Sequence, residues 1–323
     1  MSNSNQLEMM ERIALDLEGV ERALASSFNT GSEDFNTLIR PLSEAGGKRL
    51  RAQLCLLIAN AGTSVEAERI KIAEAVEMLH LATLIHDDVL DQAEIRRGEE
   101  TIHKHKGNKV AILSGDYLFA KAFRIVSEMP HMEYLKIFSH IITCLVEGEF
   151  MQMEDVYRID QGIDRYMTKT QKKTADFMEG CMELGGLLGG WSSDEIMYLK
   201  RYGHALGMAF QITDDIMDYR ETSDTTGKPV GNDLREGLLT YPLLSIVNES
   251  NQNQLLQDIK NLNHGGNEQE IIDYVIAQGG IDNTLRVAQQ YCDDALSALQ
   301  SIRDFEGKEF LVLAVQNLAD RKV

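Results

Sequence analysis

The sequence predicts an all-α protein. Apolar residues recur at spacings of three and four along nearly the whole chain, sustained period-two alternation is absent, and helix-start signals precede several apolar runs. Ile196, Leu199, Gly203, Leu206 and Phe210 form one such stripe. Between Ile70 and Ile85 apolar residues occupy most of the helix circumference, which predicts a helix buried on nearly all sides at the centre of a bundle. Thr63 with Glu66, and Ser192 with Glu195, read as capping boxes that open helices. Gly185, Gly186, Gly189 and Gly190, followed by Trp191, read as a helix break in preference to a close helix contact. Asn29–Glu33, Ser223–Asn232 and Asn263–Asn267 read as loops. No repeat or low-complexity linker interrupts the chain, so 1–323 is expected to form a single domain.

Composition narrows the function. Of 323 residues, 43% are hydrophobic, 26% are charged and only 4 are proline, which excludes disordered, collagen-like and mucin-like classes. With 32 Lys+Arg against 51 Asp+Glu the formal charge is −19, a field that repels nucleic acid and anionic lipid. An anionic substrate would therefore need local basic islands or bound cations. Cys55, Cys144, Cys181 and Cys292 form no CxxC pair, so neither a disulfide framework nor a zinc ribbon is indicated. That usage, with no leader-like segment at Met1–Leu24 and no spanning apolar run, leads us to expect a cytoplasmic protein without a transmembrane segment.

Two aspartate constellations stand out. Asp87, Asp88 and Asp91 lie in HDDVLD directly after the buried helix, with Asp87 and Asp91 on one helix face. Gln211, Asp214, Asp215 and Asp218 in QITDDIMD repeat the pattern. Carboxylates one turn apart repel, and Asp is a mediocre helix former, so each set is unfavourable by several tenths of a kcal/mol unless something compensates. Hard oxygen ligands without His or Cys partners suit Mg²⁺ that keeps its waters and is completed by substrate phosphates. The bland alternative is a pair of solvated acidic helix ends, and the second copy weakens it.

Basic islands accompany them. Gly46, Gly47, Lys48, Arg49, Leu50 and Arg51 put cations behind two glycines at an expected helix start, a setting that suits a diphosphate. Arg96, Arg97 and Gly98 follow the first aspartate set, and Lys173 with Thr174 lies in QKKTA. Singly, each is equally a solvated face.

In order, GGKRLR, DDVLD with RRG, KTA, QITDDIMD and GKPVGND resemble the trans-isoprenyl diphosphate synthase (polyprenyl synthetase) family, from about Pro41 to Pro242. The resemblance implies an isoprenoid synthase-type helical bundle around a central cavity, with the two aspartate motifs facing each other across its mouth. It implies that Asp87, Asp88, Asp91, Asp214 and Asp218 hold Mg²⁺ against an allylic diphosphate, three ions once substrate is bound, with Asp215 in support. Arg96, Lys173 and Lys228 would grip that diphosphate, with Thr174 and Gln211 beside them. Lys48, Arg51, His80 and Arg97 would bind isopentenyl diphosphate. His80, two turns before Asp87, is otherwise a satisfied histidine on a helix flank.

The implied reaction needs no protein nucleophile. Mg²⁺ and cationic side chains stabilise charge on the departing pyrophosphate, the allylic C–O bond ionises, and the isopentenyl double bond attacks the carbocation. Loss of a proton to the released pyrophosphate completes one extension. The growing tail would run beneath Asp87, so the small Ala82 and Thr83, where short-chain members often carry an aromatic, predict a medium-to-long all-trans product of about C30 to C40. Met78, Leu79 and the Gly115–Phe123 helix are candidate floors. Leu238 stands where many relatives have lysine, which puts one diphosphate contact in doubt.

The other readings are a short-chain geranylgeranyl or farnesyl synthase, a class I terpene cyclase and a non-catalytic partner subunit. GGKRLR and Arg97 argue against the cyclase, and the intact aspartate sets against the inert subunit. The resemblance further implies a homodimer, or a heterodimer with a small regulatory subunit as in a hexaprenyl or heptaprenyl synthase.

Overall fold

The computed structural model describes residues 3–28, 32–44, 47, 49–96, 98–220 and 231–319. These are almost entirely helical, as the periodicity requires, and the strand pair among them is a two-residue hairpin, β1 (Ile95–Arg96) with β2 (Glu99–Glu100). The chain divides into two compact units. One comprises 1–139, 180–197 and 304–307, and the other 140–179, 198–303 and 308–323.

The first unit is organised by α4 (Glu66–Leu90), which packs most extensively on α6 (Asn108–Ser127) and also on α1 (Asn3–Ser27) and α3 (Leu50–Asn60). Every residue from Ile72 to Leu79 is buried, so the all-round apolar pattern was a sound guide. The run also hides two carboxylates. Glu77 accepts from the Arg49 guanidinium at 3.1 Å and from the Ala52 amide at 3.3 Å, and Glu74 accepts from Ser27 Oγ at 2.7 Å. Burial pushes the Glu77 carboxyl above its ordinary value and Arg49 opposes the shift.

The two capping boxes fare differently. Ser192 and Glu195 exchange bonds as expected, Glu195 N–H to Ser192 Oγ at 3.3 Å and Ser192 N–H to Glu195 Oε2 at 3.1 Å, opening α10 (Ser193–Arg220). Thr63 does not cap: α4 starts at Glu66 behind an extended Val65, while Thr63 N–H binds Gly189 O at 3.0 Å. The intervening turn already commits its polar groups, with Ser64 Oγ on Ala59 O.

The glycine cluster is also corrected. Helix α9 (Asp176–Leu188) runs through Gly185 and Gly186, and the break comes only at Gly189–Gly190. Close approach fixes two of these positions: a Cβ on Gly185 would lie 2.6 Å from Cys55 O, and one on Gly189 would lie 2.6 Å from Trp191 Nε1 and 2.9 Å from Ile58 O.

In the second unit α10 contributes Ile212, Ile216 and Tyr219 to a core completed by Leu234, Leu243 and Ile259. Around it lie α7 (Met132–Glu154, from His140 onward), α8 (Gly162–Thr170), α11 (Asn232–Glu236), α12 (Tyr241–Leu244), α13 (Gln252–Asn261), α14 (Glu268–Ala277), α15 (Gly280–Gln300) and α16 (Lys308–Ala319). Of the three expected loops, Asn263–Asn267 is a short turn ending in the Asn267 cap of α14. Most of Asn29–Glu33 and Ser223–Asn232 lies outside the described residues. The four cysteines are free and buried, and among the described residues no helix is long and apolar enough to cross a membrane.

Candidate functional site

The first aspartate set ends α4. Asp91 caps the helix C-terminally, its N–H donating to Asp87 O at 2.8 Å, so the helical spacing inferred between these two residues holds. Asp87 is half-buried, Asp91 exposed and Asp88 buried. Arg96, returned by the β1 turn, donates from Nε to Asp88 Oδ1 at 2.6 Å and ties the RRG island to the set. Two turns back on α4, His80 Nε2 lies 3.4 Å from Arg51 Nη1 on α3. Burial lowers the Arg51 guanidinium from its ordinary value. Arg49, one of the basic cluster, instead turns inward to Glu77 and Glu21. It stands in a left-handed conformation, φ 44°, immediately before α3, which begins at Leu50 where the sequence placed a helix start. Lys48, Arg97 and Lys228 lie outside the described residues.

Below the first set, Ala82 is fully buried and Thr83 half-buried, its hydroxyl donating to His80 O at 2.8 Å. Met78 and Leu79 are fully buried too. On α6, Gly115 admits the His86 ring, since a Cβ there would lie 2.2 Å from Nε2.

The second set is more tightly built. Asp214 is exposed, whereas Asp215 is buried between Tyr166 Oη, which donates to Oδ2 at 2.5 Å, and Gln211 Nε2, which donates to Oδ1 at 2.9 Å. Gln211 Oε1 in turn accepts from Thr174 Oγ1 at 2.9 Å. The structure thus joins Thr174, Gln211 and Asp215, three residues singled out in the sequence, and adds Tyr166. Burial pushes the Asp215 carboxyl up to about 7 despite its two donors.

Asp218 accepts from Asn232 N–H at 3.0 Å and Asp233 N–H at 3.1 Å, capping α11, which leaves further lone pairs on each oxygen. Burial raises Asp218 to about 6. Neighbouring Asp233 reaches about 8 through burial and then the charge of Asp218. Leu238 donates its N–H to Asp233 O at 2.8 Å, just after Gly237.

Lys173 and Thr174 sit in a single π-helical turn, Gln171–Ala175, between α8 and α9. The widened turn is a local irregularity of the kind found at functional sites. Lys173 Nζ pairs with Glu149 at 2.5 Å, and Lys172 with Glu147 at 2.5 Å. On the preceding turn Lys169 is buried, which lowers its ammonium from the ordinary value while the Asp155 and Asp215 charges oppose the shift.

These side chains match a family across most of the chain. The polyprenyl synthetase family model matches residues 32–278, a span containing both aspartate sets and every basic island. The chain belongs to the polyprenyl synthetase family. Octaprenyl diphosphate synthase of Escherichia coli (strain K12) is 32% identical over 312 residues, covering 95% of this chain and 96% of the relative. Heptaprenyl diphosphate synthase component 2 of Geobacillus stearothermophilus is 32% identical over 297 residues, 92% of each chain. Among solved structures, heptaprenyl diphosphate synthase from Staphylococcus aureus superposes with a TM-score of 0.88 at 28% identity, covering 96% of this chain and 99% of that one. The expected fold, the isoprenoid synthase-type all-α bundle, and the expected enzyme class, chain-elongating prenyl transfer, agree with this membership.

Tyr166, Lys169 and the π-turn were not singled out from the sequence. Tyr166 and Lys169 lie in GIDRYMTKT, which reads as an ordinary amphipathic segment, and no residue signature announces a π-turn. The one available signal was the proximity of Tyr166 and Lys169 to the KTA motif.

Proposed function

We propose that this polyprenyl synthetase condenses isopentenyl diphosphate with an allylic diphosphate to give a medium-to-long all-trans polyprenyl diphosphate of about C30 to C40. The observation that carries the reading is the hydrogen-bonded chain from Thr174 through Gln211 to Asp215, which links the KTA island to the second aspartate set.

In this reading Asp87, Asp88 and Asp91, together with Asp214 and Asp218, would hold Mg²⁺, three ions with substrate bound. Their donor chemistry fits that ion: hard carboxylate oxygens, one helical turn apart in each set, with Asp214 exposed and Asp91 exposed. When bound, Mg²⁺ supplies positive charge to the diphosphate leaving group. Arg96, Lys173 and Lys228 grip the same diphosphate, and Lys173 exchanges its partner Glu149 for phosphate oxygens. Their cationic heads stabilise the charge that develops as the allylic C–O bond breaks. Asp215, held by Gln211, supports Asp214 and Asp218. Lys48, Arg51, His80 and Arg97 place isopentenyl diphosphate for attack by its double bond, and the proton leaves with the released pyrophosphate. Ala82 and Thr83 leave room for a long tail above Met78 and Leu79.

We further read 1–323 as one synthase domain, cytoplasmic, acting as a homodimer or with a small regulatory subunit. A component-2 relative supports the latter arrangement. The test is incubation of the purified chain with Mg²⁺, labelled isopentenyl diphosphate and primers of several lengths, followed by chromatography. Label in elongated diphosphates supports the reading; a hydrocarbon product would instead indicate a cyclase.

A further inference from the structure

A different cluster, made of other side chains, lies in the second unit. On α7, His140 and Cys144 are one turn apart on one face, and Asp176 opens α9. One ligand atom from each lies within 4.8 Å of the others. We propose that His140, Cys144 and Asp176 form a binding site for a borderline-soft transition-metal cation of the zinc class. The proposal does not rest on the prenyl-transfer reading.

Geometry and donor chemistry both support it. Cys144 Sγ lies 3.6 Å from His140 Nε2. Two ligands of one tetrahedral zinc, at bond lengths of about 2.3 Å for sulfur and about 2.0 Å for nitrogen, stand about 3.5 Å apart. The pair is therefore already spaced as two ligands of one ion. The third donor is oriented by a neighbour: Gln171 Nε2 donates to Asp176 Oδ1 at 3.2 Å, and the carboxylate is also bonded to the Cys144 thiol, whose proton a cation would replace. His140 is exposed while Cys144 and Asp176 are buried, so the site has an entry path and an anchored floor, with water to complete the shell.

A mixed nitrogen, sulfur and oxygen set selects against Mg²⁺, which the aspartate sets suit, and for Zn²⁺ or Co²⁺. Glu179 and His204 form a second group with Asp176, but Glu179 is 3.5 Å from both His204 and Lys200 and is compensated by them. We therefore assign these two residues to the surroundings of the site.

Without a cation the Cys144 thiol is strongly protonated, pushed up to about 12 by burial and by its bond to Asp176. Coordination would release the thiol proton to solvent.

The probe is Co²⁺ added to the purified full chain, stripped with chelator and held in excess Mg²⁺. We expect a sulfur-to-cobalt charge-transfer band and tetrahedral d–d bands that saturate at one ion per chain and are displaced by Zn²⁺. Cys144→Ser should abolish the charge-transfer band. His140→Asn, at an exposed position where folding is not at stake, should weaken Co²⁺ binding by roughly tenfold or more. A wild-type chain giving no band would reduce the His140–Cys144 contact to a thiol hydrogen bond and overturn the proposal. So would a band that survives Cys144→Ser in a folded variant, or Co²⁺ affinity unchanged in His140→Asn.

Discussion

The phenol oxygen of Tyr166 lies 2.5 Å from Asp215 Oδ2, and this contact, closed on the other side by Gln211, fixes the buried member of the second aspartate set. Tyr166→Phe should therefore cost about 1 kcal/mol of stability through the lost hydrogen bond. It also removes a donor that holds the Asp215 carboxyl down, so a group already at about 7 would rise further. The acid limb of the kcat/KM profile should move to higher pH, and a pH–rate comparison of the two proteins checks this.

Three carboxyls near α11 share that direction of shift. Asp215, Asp218 and Asp233 stand at about 7, 6 and 8 against an ordinary 3.8. Between the ordinary and raised values the folded chain holds protons that the unfolded chain has lost, so this contribution is present at low pH and disappears as pH rises. The metal-free protein should lose stability between about pH 4 and 8. Mg²⁺ with pyrophosphate should restore more stability at pH 8 than at pH 5. Thermal melts across that range, with and without the pair, check both statements.

The Lys173–Glu149 pair at 2.5 Å sets up a competition for the cation. Lys173→Ala should lower kcat/KM for the allylic substrate by about 10²-fold, through lost stabilisation of developing charge. Glu149→Gln should lower the KM for that substrate, because the phosphate no longer displaces a carboxylate. Steady-state kinetics separates the two.

Ala82 is fully buried on α4. Ala82→Phe should shift the product distribution to shorter chains, at a stability cost of about 1–3 kcal/mol from overpacking. Chromatography of the products reads the first effect, and an unchanged chain length would contradict the tail path assigned here.

The helix starts give a paired test. Ser192→Ala should cost about 1 kcal/mol because both arms of its capping box form. Thr63→Ala should cost far less, since α4 begins behind Val65. Denaturant midpoints of the two variants decide it.

These contrasts show what was legible. The buried stretch of α4 and the helical placement of both aspartate sets follow from spacing alone, because a 3.6-residue period fixes which side chains share a face. Thr63 misled because its motif matched a cap while the Ala61–Val65 turn had other uses for its polar groups. The glycine cluster misled because Gly185 answers a steric demand of Cys55 across the unit, which no local pattern encodes. The long-range bond from Tyr166 to Asp215, and Arg49 turning inward to Glu77, are products of tertiary packing and leave no periodic trace.

On the proposed function, the two aspartate sets bind the divalent cations needed for allylic diphosphate ionisation. The most direct measurement is incorporation of labelled isopentenyl diphosphate into elongated diphosphates by the purified chain, with any small partner subunit it requires, before and after exhaustive chelation, alongside Asp87→Asn and Asp214→Asn. Incorporation that vanishes on chelation, returns with Mg²⁺ and falls at least 10²-fold in both variants is the predicted result. Incorporation that persists after chelation, or is unchanged in the two variants, would contradict it.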